Sequence, residues 1–171
     1  CMKETNSSGG MVECVITGVP AGIGEPAFEK LDAALAKSMF SIGAVKGFEI
    51  GSGMEAARST GLQNNDAYGI TPQGDIVKKT NHSGGITGGI SDGCPIIFRA
   101  AFKPTPSIAS PQETVNRQGE AIEIRIKGRH DPIIVPRAVV VVESMAALVI
   151  LDAMLGSMTT RLDKIKDFFQ N

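Results

Sequence analysis

The sequence predicts an α+β fold in which antiparallel sheet packs on a long buried helix. Three observations lead there. Glu120–Lys127 alternates strictly, with Ile122, Ile124 and Ile126 on one face and Glu123, Arg125 and Lys127 on the other, as a half-buried strand does. Pro136–Gly156 begins at proline, ends at glycine and is apolar nearly all round, the pattern of a buried central helix. Elsewhere, hairpin and helix signals follow one another without strict strand–helix–strand alternation, which favours antiparallel pairing. A chain of 171 residues, 42% hydrophobic and 20% charged, is long enough for a real core, and a single domain spanning 1–171 is expected.

Met11–Thr17 reads as a strand, with Val12, Cys14 and Ile16 on one face and Glu13 opposite. Gly18–Gly24 is a glycine- and proline-bearing turn. Glu25–Phe40 reads as a helix, because Pro26 suits a first helical position and Phe28, Leu31, Leu35 and Met39 form a stripe. Ala44–Ile50 is a second strand. Residues 51–82 show no sustained period and read as a long excursion with one short helix, Met54–Arg58. Gly84–Phe102 reads as a hairpin turning at Ser91-Asp92-Gly93, with Ile96, Ile97, Phe98 and Phe102 on the return strand. Lys103–Gly119 is a second long loop. Val139–Val142 is β-branched, but the run around it is too long for a strand, so Pro136–Gly156 is taken as helix. Thr160–Phe169 is a short amphipathic helix.

A net charge of −1 offers no basic field to nucleic acid or to an anionic membrane. Aromatic residues are 5% with no tryptophan, which counts against base-stacking platforms. The apolar stretch Ala138–Leu151 is interrupted by Glu143 and Ser144 and is shorter than the roughly 20 residues a bilayer needs. No membrane or nucleic-acid partner is therefore expected. Cys1, Cys14 and Cys94 are far apart and lack metal-ligand spacing. Cys14 and Cys94 read as small apolar packing residues, and the odd count points to a reducing compartment, hence a cytoplasmic protein, with no metal site. The N-terminus has no apolar region, so no signal peptide is expected. Cys1 precedes Met2 and a Ser/Gly turn precedes the first strand-like run, which raises the expectation of a fragment.

Several segments carry candidate chemistry, each with a plain structural alternative. Gly128-Arg129-His130-Asp131-Pro132 sets a fixed cation, an imidazole and a carboxylate side by side; it is a site or a polar turn capping a helix. Gly84-Gly85-Ile86-Thr87-Gly88-Gly89 lets backbone N–H groups approach an anion or a flat ring, or simply packs tightly. Lys103-Pro104-Thr105-Pro106-Ser107 combines a cation, two hydroxyls and stiff prolines, suited to gripping a phosphate or to a solvated loop. Gly18–Pro26 reads as a strand-to-helix connector. His82 has no metal partner at helical spacing and reads as a polar loop histidine beside the glycines.

Taken together, these segments are similar to those of the chorismate synthase family. The resemblance rests on Gly18–Pro26 with the following helix, Ser41-Ile42-Gly43-Ala44-Val45-Lys46-Gly47, Asn81–Ile90, Phe102–Ile108 and Gly128–Pro132, in the family's order from about residue 4 to about residue 155. It covers only the C-terminal half of such an enzyme. The family's N-terminal half carries two histidines in Ser-His-Gly contexts, and no Ser-His-Gly occurs here. The resemblance implies part of a β-α-β sandwich, a homotetramer, and a cofactor of reduced FMN. The reaction implied is 1,4-anti elimination of phosphate from 5-enolpyruvylshikimate 3-phosphate, giving chorismate. Carried over, Asp131 is the carboxylate that assists proton removal by way of the flavin N5, and Arg129 holds anionic oxygen of flavin or substrate. Lys103, Pro104, Thr105, Pro106 and Ser107 grip FMN, Gly88 allows close approach, and Gly43 and Ala44 line the site. Family members usually have asparagine where this chain has Gly43, so a side-chain amide is missing there. His130 is given no proton-transfer role. The rival reading is a non-catalytic fragment that keeps part of a flavin pocket and subunit contacts.

Overall fold

A computed structural model describes residues 1–126, 128 and 131–170. The central sheet has three strands: β1 (Gly10–Ile16), β2 (Val45–Ile50) and β7 (Ile96–Phe102), in the order β1-β7-β2 and antiparallel throughout. Gly84–Phe102 thus forms no single hairpin. Ile96–Phe102 is the middle strand of a sheet whose edges come from earlier in the chain. Its burial alternates perfectly, with Ile96, Phe98, Ala100 and Phe102 facing the core. Opposite them, Arg99 lies in one row with Glu13 and Glu49, its guanidinium 2.7 Å and 3.4 Å from their carboxylates. One face is therefore oil and the other water-facing.

Two helices cover the apolar face. α1 (Leu31–Phe40) buries Leu31, Leu35 and Met39. α3 (Val135–Ser157) buries Ala138, Val142, Ala146 and Ile150, a stripe repeating every fourth residue. The sequence predicts a helix from residue 25, but Pro26 and Phe28 stay outside it. Gly24 bridges Ile90, and the Leu31 N–H donates to the Gly89 carbonyl (2.9 Å). The segment between is held as an arch, with Phe28 at φ +58 and fully exposed. Tertiary contact with the glycine-rich turn overrides the local proline signal.

α3 matches the expected helix in extent but not in burial. Only its one stripe is covered by β1 and α1, while Val139, Val140, Leu148, Leu151 and Leu155 are exposed. At 23 residues it is also long and apolar enough to cross a membrane by length and composition, longer than the expected apolar stretch.

The remaining elements are small. Residues 51–82 hold a 3-10 turn at Gly53–Arg58, α2 (Gly61–Asn64) and a hairpin of β3 (Tyr68–Ile70) with β4 (Ile76–Lys78). β5 (Ile86–Thr87) pairs with β6 (Ile90–Ser91), turning at Gly88-Gly89 rather than at the expected Ser91-Asp92-Gly93. The second expected loop contains β8 (Gln112–Val115), which pairs with β9 (Ala121–Ile124). Asn116 closes that turn by accepting from the N–H groups of Gln118 and Glu120. Ile122 and Ile124 are exposed, so the alternating segment forms a ribbon rather than the expected half-buried strand. Lys127, at the end of that segment, lies outside the described residues. α4 (Leu162–Gln170) ends the described chain.

Candidate functional site

The sequence-predicted residues fall into two groups. The first lies where β7 ends. The Lys103 N–H donates to the Ala44 carbonyl (2.9 Å), joining the proline loop to the Gly43-Ala44 turn. Ala44 is held at φ +72, a left-handed backbone that a side chain disfavours and that surrounding structure must impose. Gly43 beside it is exposed. The N-terminal segment stitches the loop to the charged turn. Ser7 Oγ donates to the Thr105 carbonyl (2.6 Å), and the next N–H, of Ser8, donates to the Pro132 carbonyl (2.9 Å). Gln112 Nε2 donates to the Pro106 carbonyl, and Ser110 is bonded to Glu4 and Thr5. Lys103, Pro104 and Pro106 are exposed, whereas Thr105 and Ser107 are half-buried. Asp131 is half-buried, and the Arg137 guanidinium, from the first turn of α3, is 2.9 Å from its carboxylate. Arg129 and His130 lie outside the described residues.

The second group surrounds the glycine-rich turn, which lies at the N-terminal end of α1 through the Leu31–Gly89 bond. Ala44 follows the other end of that helix, whose ten residues span about 15 Å. Gly88 is thus not brought into contact with the first group. It has φ +63, and a Cβ there would meet nothing within 4 Å. Gly18–Gly24 joins this end, since Ser91 Oγ donates to the Pro20 carbonyl (2.6 Å) and accepts from the Ile23 N–H (2.9 Å).

Beside this turn is a cluster that sequence reasoning missed. The Lys78 side chain is 7% exposed, and its Nζ donates to Asp92 Oδ2 and to Ser83 Oγ (3.2 Å), with Asp66 Oδ2 at 3.7 Å. The Asp66 carboxylate accepts from the N–H groups of His82 and Ser83 and from the hydroxyls of Thr80 and Ser83. Burial pushes its carboxyl up, but those four donors outweigh burial and hold it well below the usual carboxylate range. Asp92 is likewise driven up by burial and brought down further by Lys78 and the Cys94 N–H. Burial lowers Lys78, and the two carboxylates more than restore it, to a net rise. Burial and Asp92 push the Cys94 thiol up, and burial and Glu143 push Cys14 up, so neither is an activated thiolate. No spacing rule links residues 66, 78 and 92. The legible signal was the Thr71-Pro72-Gln73-Gly74 turn, which predicts the β3–β4 hairpin that delivers Lys78. Among the described residues, no three of His, Cys, Asp and Glu gather as around a metal ion.

This cluster makes stability pH-dependent with a definite sign. Asp66 has a folded-state pKa below its ordinary 3.8. Its contribution is full above the ordinary value and lost as pH falls through the folded one. Lys78, raised above 10.5, contributes below that value and loses its contribution as pH rises further. Asp66→Asn should therefore flatten the acid limb of the stability curve below about pH 4. Urea midpoints measured across the acid range check this; an acid limb as steep as that of the unsubstituted chain refutes it.

The comparisons with known proteins agree on one family. The chorismate synthase family model matches residues 1–155. The chorismate synthase of Agathobacter rectalis is 66% identical over 170 residues, 99% of this chain and 46% of that protein. That of Lachnoclostridium phytofermentans is 64% identical with the same shares, and that of a Synechocystis species is 52% identical over 90% of this chain and 42% of its own. A crystal structure of a chorismate synthase superposes with a TM-score of 0.72 at 34% identity, covering 98% of this chain and 44% of that one. The chain spans about half the length of the curated relatives it matches. It belongs to the chorismate synthase family.

Proposed function

We propose that this chain forms one wall of an FMN-dependent site that removes phosphate from 5-enolpyruvylshikimate 3-phosphate by 1,4-anti elimination, giving chorismate. The 171 residues alone turn over nothing. The observation that carries this reading is the Lys103–Ala44 backbone bond, together with the Ser7 and Ser8 links to Thr105 and Pro132. They gather three of the motif segments at one end of the sheet.

The donor set fits a phosphate-bearing flavin. The Lys103 ammonium and the hydroxyls of Thr105 and Ser107 are hydrogen-bond donors suited to anionic oxygen. Pro104 and Pro106 stiffen the loop that carries them. Gly43 and Ala44 form the adjoining edge, Gly88 offers close backbone approach, and Arg129 is assigned to anionic oxygen of flavin or substrate. When bound, reduced FMN supplies electron density to the bond to the departing phosphate. Asp131 is the carboxylate that assists removal of the proton lost from substrate C6, with the Arg137 guanidinium 2.9 Å from it. Cations at the leaving phosphate stabilise charge as it develops.

That the chain spans about half of its relatives favours a second reading of the polypeptide taken alone: a non-catalytic piece of flavin pocket and tetramer contact. Titration of the chain with FMN, followed by flavin fluorescence, should show weak binding or none. Joined to the part of the Agathobacter rectalis protein that it does not cover, it should bind FMN and form chorismate. A folded joined protein without turnover sinks the enzyme reading. Turnover by the chain alone overturns the claim that it is inactive.

A further inference from the structure

We propose that Lys78 is a positioning residue: through Asp92 it holds the Gly88-Gly89 turn in the conformation that meets the flavin. The inference rests on the flavin reading above, and deepens it. Three segments from different parts of the chain meet at one ammonium. Asp66 precedes β3, Lys78 ends β4, and Asp92 follows β6 directly. Side chains of all three are nearly buried, at 8%, 7% and 13% exposure.

The two carboxylates depend on Lys78 unequally. Asp66 is saturated without it, since two N–H groups and two hydroxyls already donate to its oxygens. Asp92 receives the Cys94 N–H on one oxygen and Lys78 and the Thr87 hydroxyl (3.2 Å) on the other, and the Cys94 thiol is also hydrogen-bonded to it, so Lys78 is its one charged donor among the described residues. Without the ammonium, Asp92 is left nearly buried beside a second carboxylate whose charge is held by four donors. A buried charge stripped of its partner is strongly unfavourable. The relief available is for Asp92 to swing towards water, carrying Thr87 with it. Thr87 is the residue before Gly88, so loss of one cation on a distant hairpin is transmitted to the turn. The root of the β5–β6 hairpin is fixed separately. Asn81 accepts from the Gly85 N–H (2.8 Å) and donates to the Pro95 carbonyl (2.8 Å), without Lys78. On the far side of the tip, the Gly89 carbonyl stays bonded to the Leu31 N–H and Ile90 stays bridged to Gly24, so loosening is confined to the Thr87-Gly88 side of the turn.

Hydrogen exchange by mass spectrometry on the chain reads the turn directly. Lys78→Met and Asp92→Asn should each speed exchange of the peptide covering Ile86–Asp92 by about tenfold, with β7 protection unchanged. Lys78→Arg, which keeps the charge, should return most of the protection. In the protein joined to the uncovered part of the Agathobacter rectalis relative, Lys78→Met should raise the FMN Kd about tenfold. Turnover at saturating FMN should stay within about twofold. Unchanged exchange in the turn overturns the proposal. So does equal loosening of β7, which would mark general destabilisation, or a loosened turn with an unchanged FMN Kd. If the unsubstituted joined protein binds no FMN, the flavin reading fails, and the exchange result still decides whether Lys78 holds the turn.

Discussion

Asp131→Ala in the joined, full-length protein should lower kcat by about 10²–10⁴-fold, the usual worth of a positioned acid–base group. The FMN Kd should stay within about threefold. The asymmetry follows from where the carboxylate is held. Asp131 is fixed by the Ser8–Pro132 bond beside it and by Arg137, not by the Lys103–Ser107 loop. On the proposed reading, removing it takes away the carboxylate that assists proton removal and leaves the loop's ammonium and hydroxyls in place. Stopped-flow turnover and flavin titration on the same preparation separate the two effects. Equal losses in both would make Asp131 a binding residue. Arg137→Ala is a useful companion: its guanidinium is mostly exposed, so the ion pair itself contributes little to stability.

Phe98→Ala should cost about 3–5 kcal/mol of stability, against a total of about 5–15 kcal/mol for an ordinary domain. Phe98 is fully buried in the middle strand, stacked against Phe48 with ring centroids 5.2 Å apart. It faces the layer formed by α1 and α3, whose Leu35, Met39 and Val142 are also fully buried. Truncation leaves a cavity walled by three elements, none of which can close it without breaking its own packing. Urea unfolding followed by far-ultraviolet circular dichroism measures the effect. A loss below about 1 kcal/mol would mean that the sheet face is not the core it is taken to be.

Local periodicity located β1, β2 and α3 to within a residue or two, because their patterns are set by the faces they bury. It failed where tertiary contact outbid local preference. Pro26 is a fair helix opener, yet Gly24 and Leu31 both fasten to the glycine-rich turn and leave no room for a helix between them. Ser91-Asp92-Gly93 has turn composition, but Asp92 is engaged with Lys78 and Ser91 with Pro20 and Ile23. α3 is apolar nearly all round, which reads as complete burial, but the described residues supply a layer for only one of its faces. The candidate site was legible as short motifs whose chemistry resembled one family. That Lys103 reaches Ala44, and that Gly88 sits at the far end of α1, depends on strand pairing no motif records. The Thr71–Gly74 turn signals the hairpin that carries Lys78, but its pairing with Asp66 and Asp92 is purely spatial and left no mark in the sequence.

The strand order carries a consequence in time. β7 lies between β1 and β2, yet it is synthesised after both. As the chain leaves the ribosome, two strands and the helix that joins them wait without a sheet until Ile96–Phe102 emerges, and α3 follows later still. Such distant pairing is slow to form, and the waiting strands offer unpaired edges meanwhile. Until Ile96–Phe102 has emerged, β1 and β2 thus keep their edges unpaired, and the sheet is assembled in a single late event around Phe98.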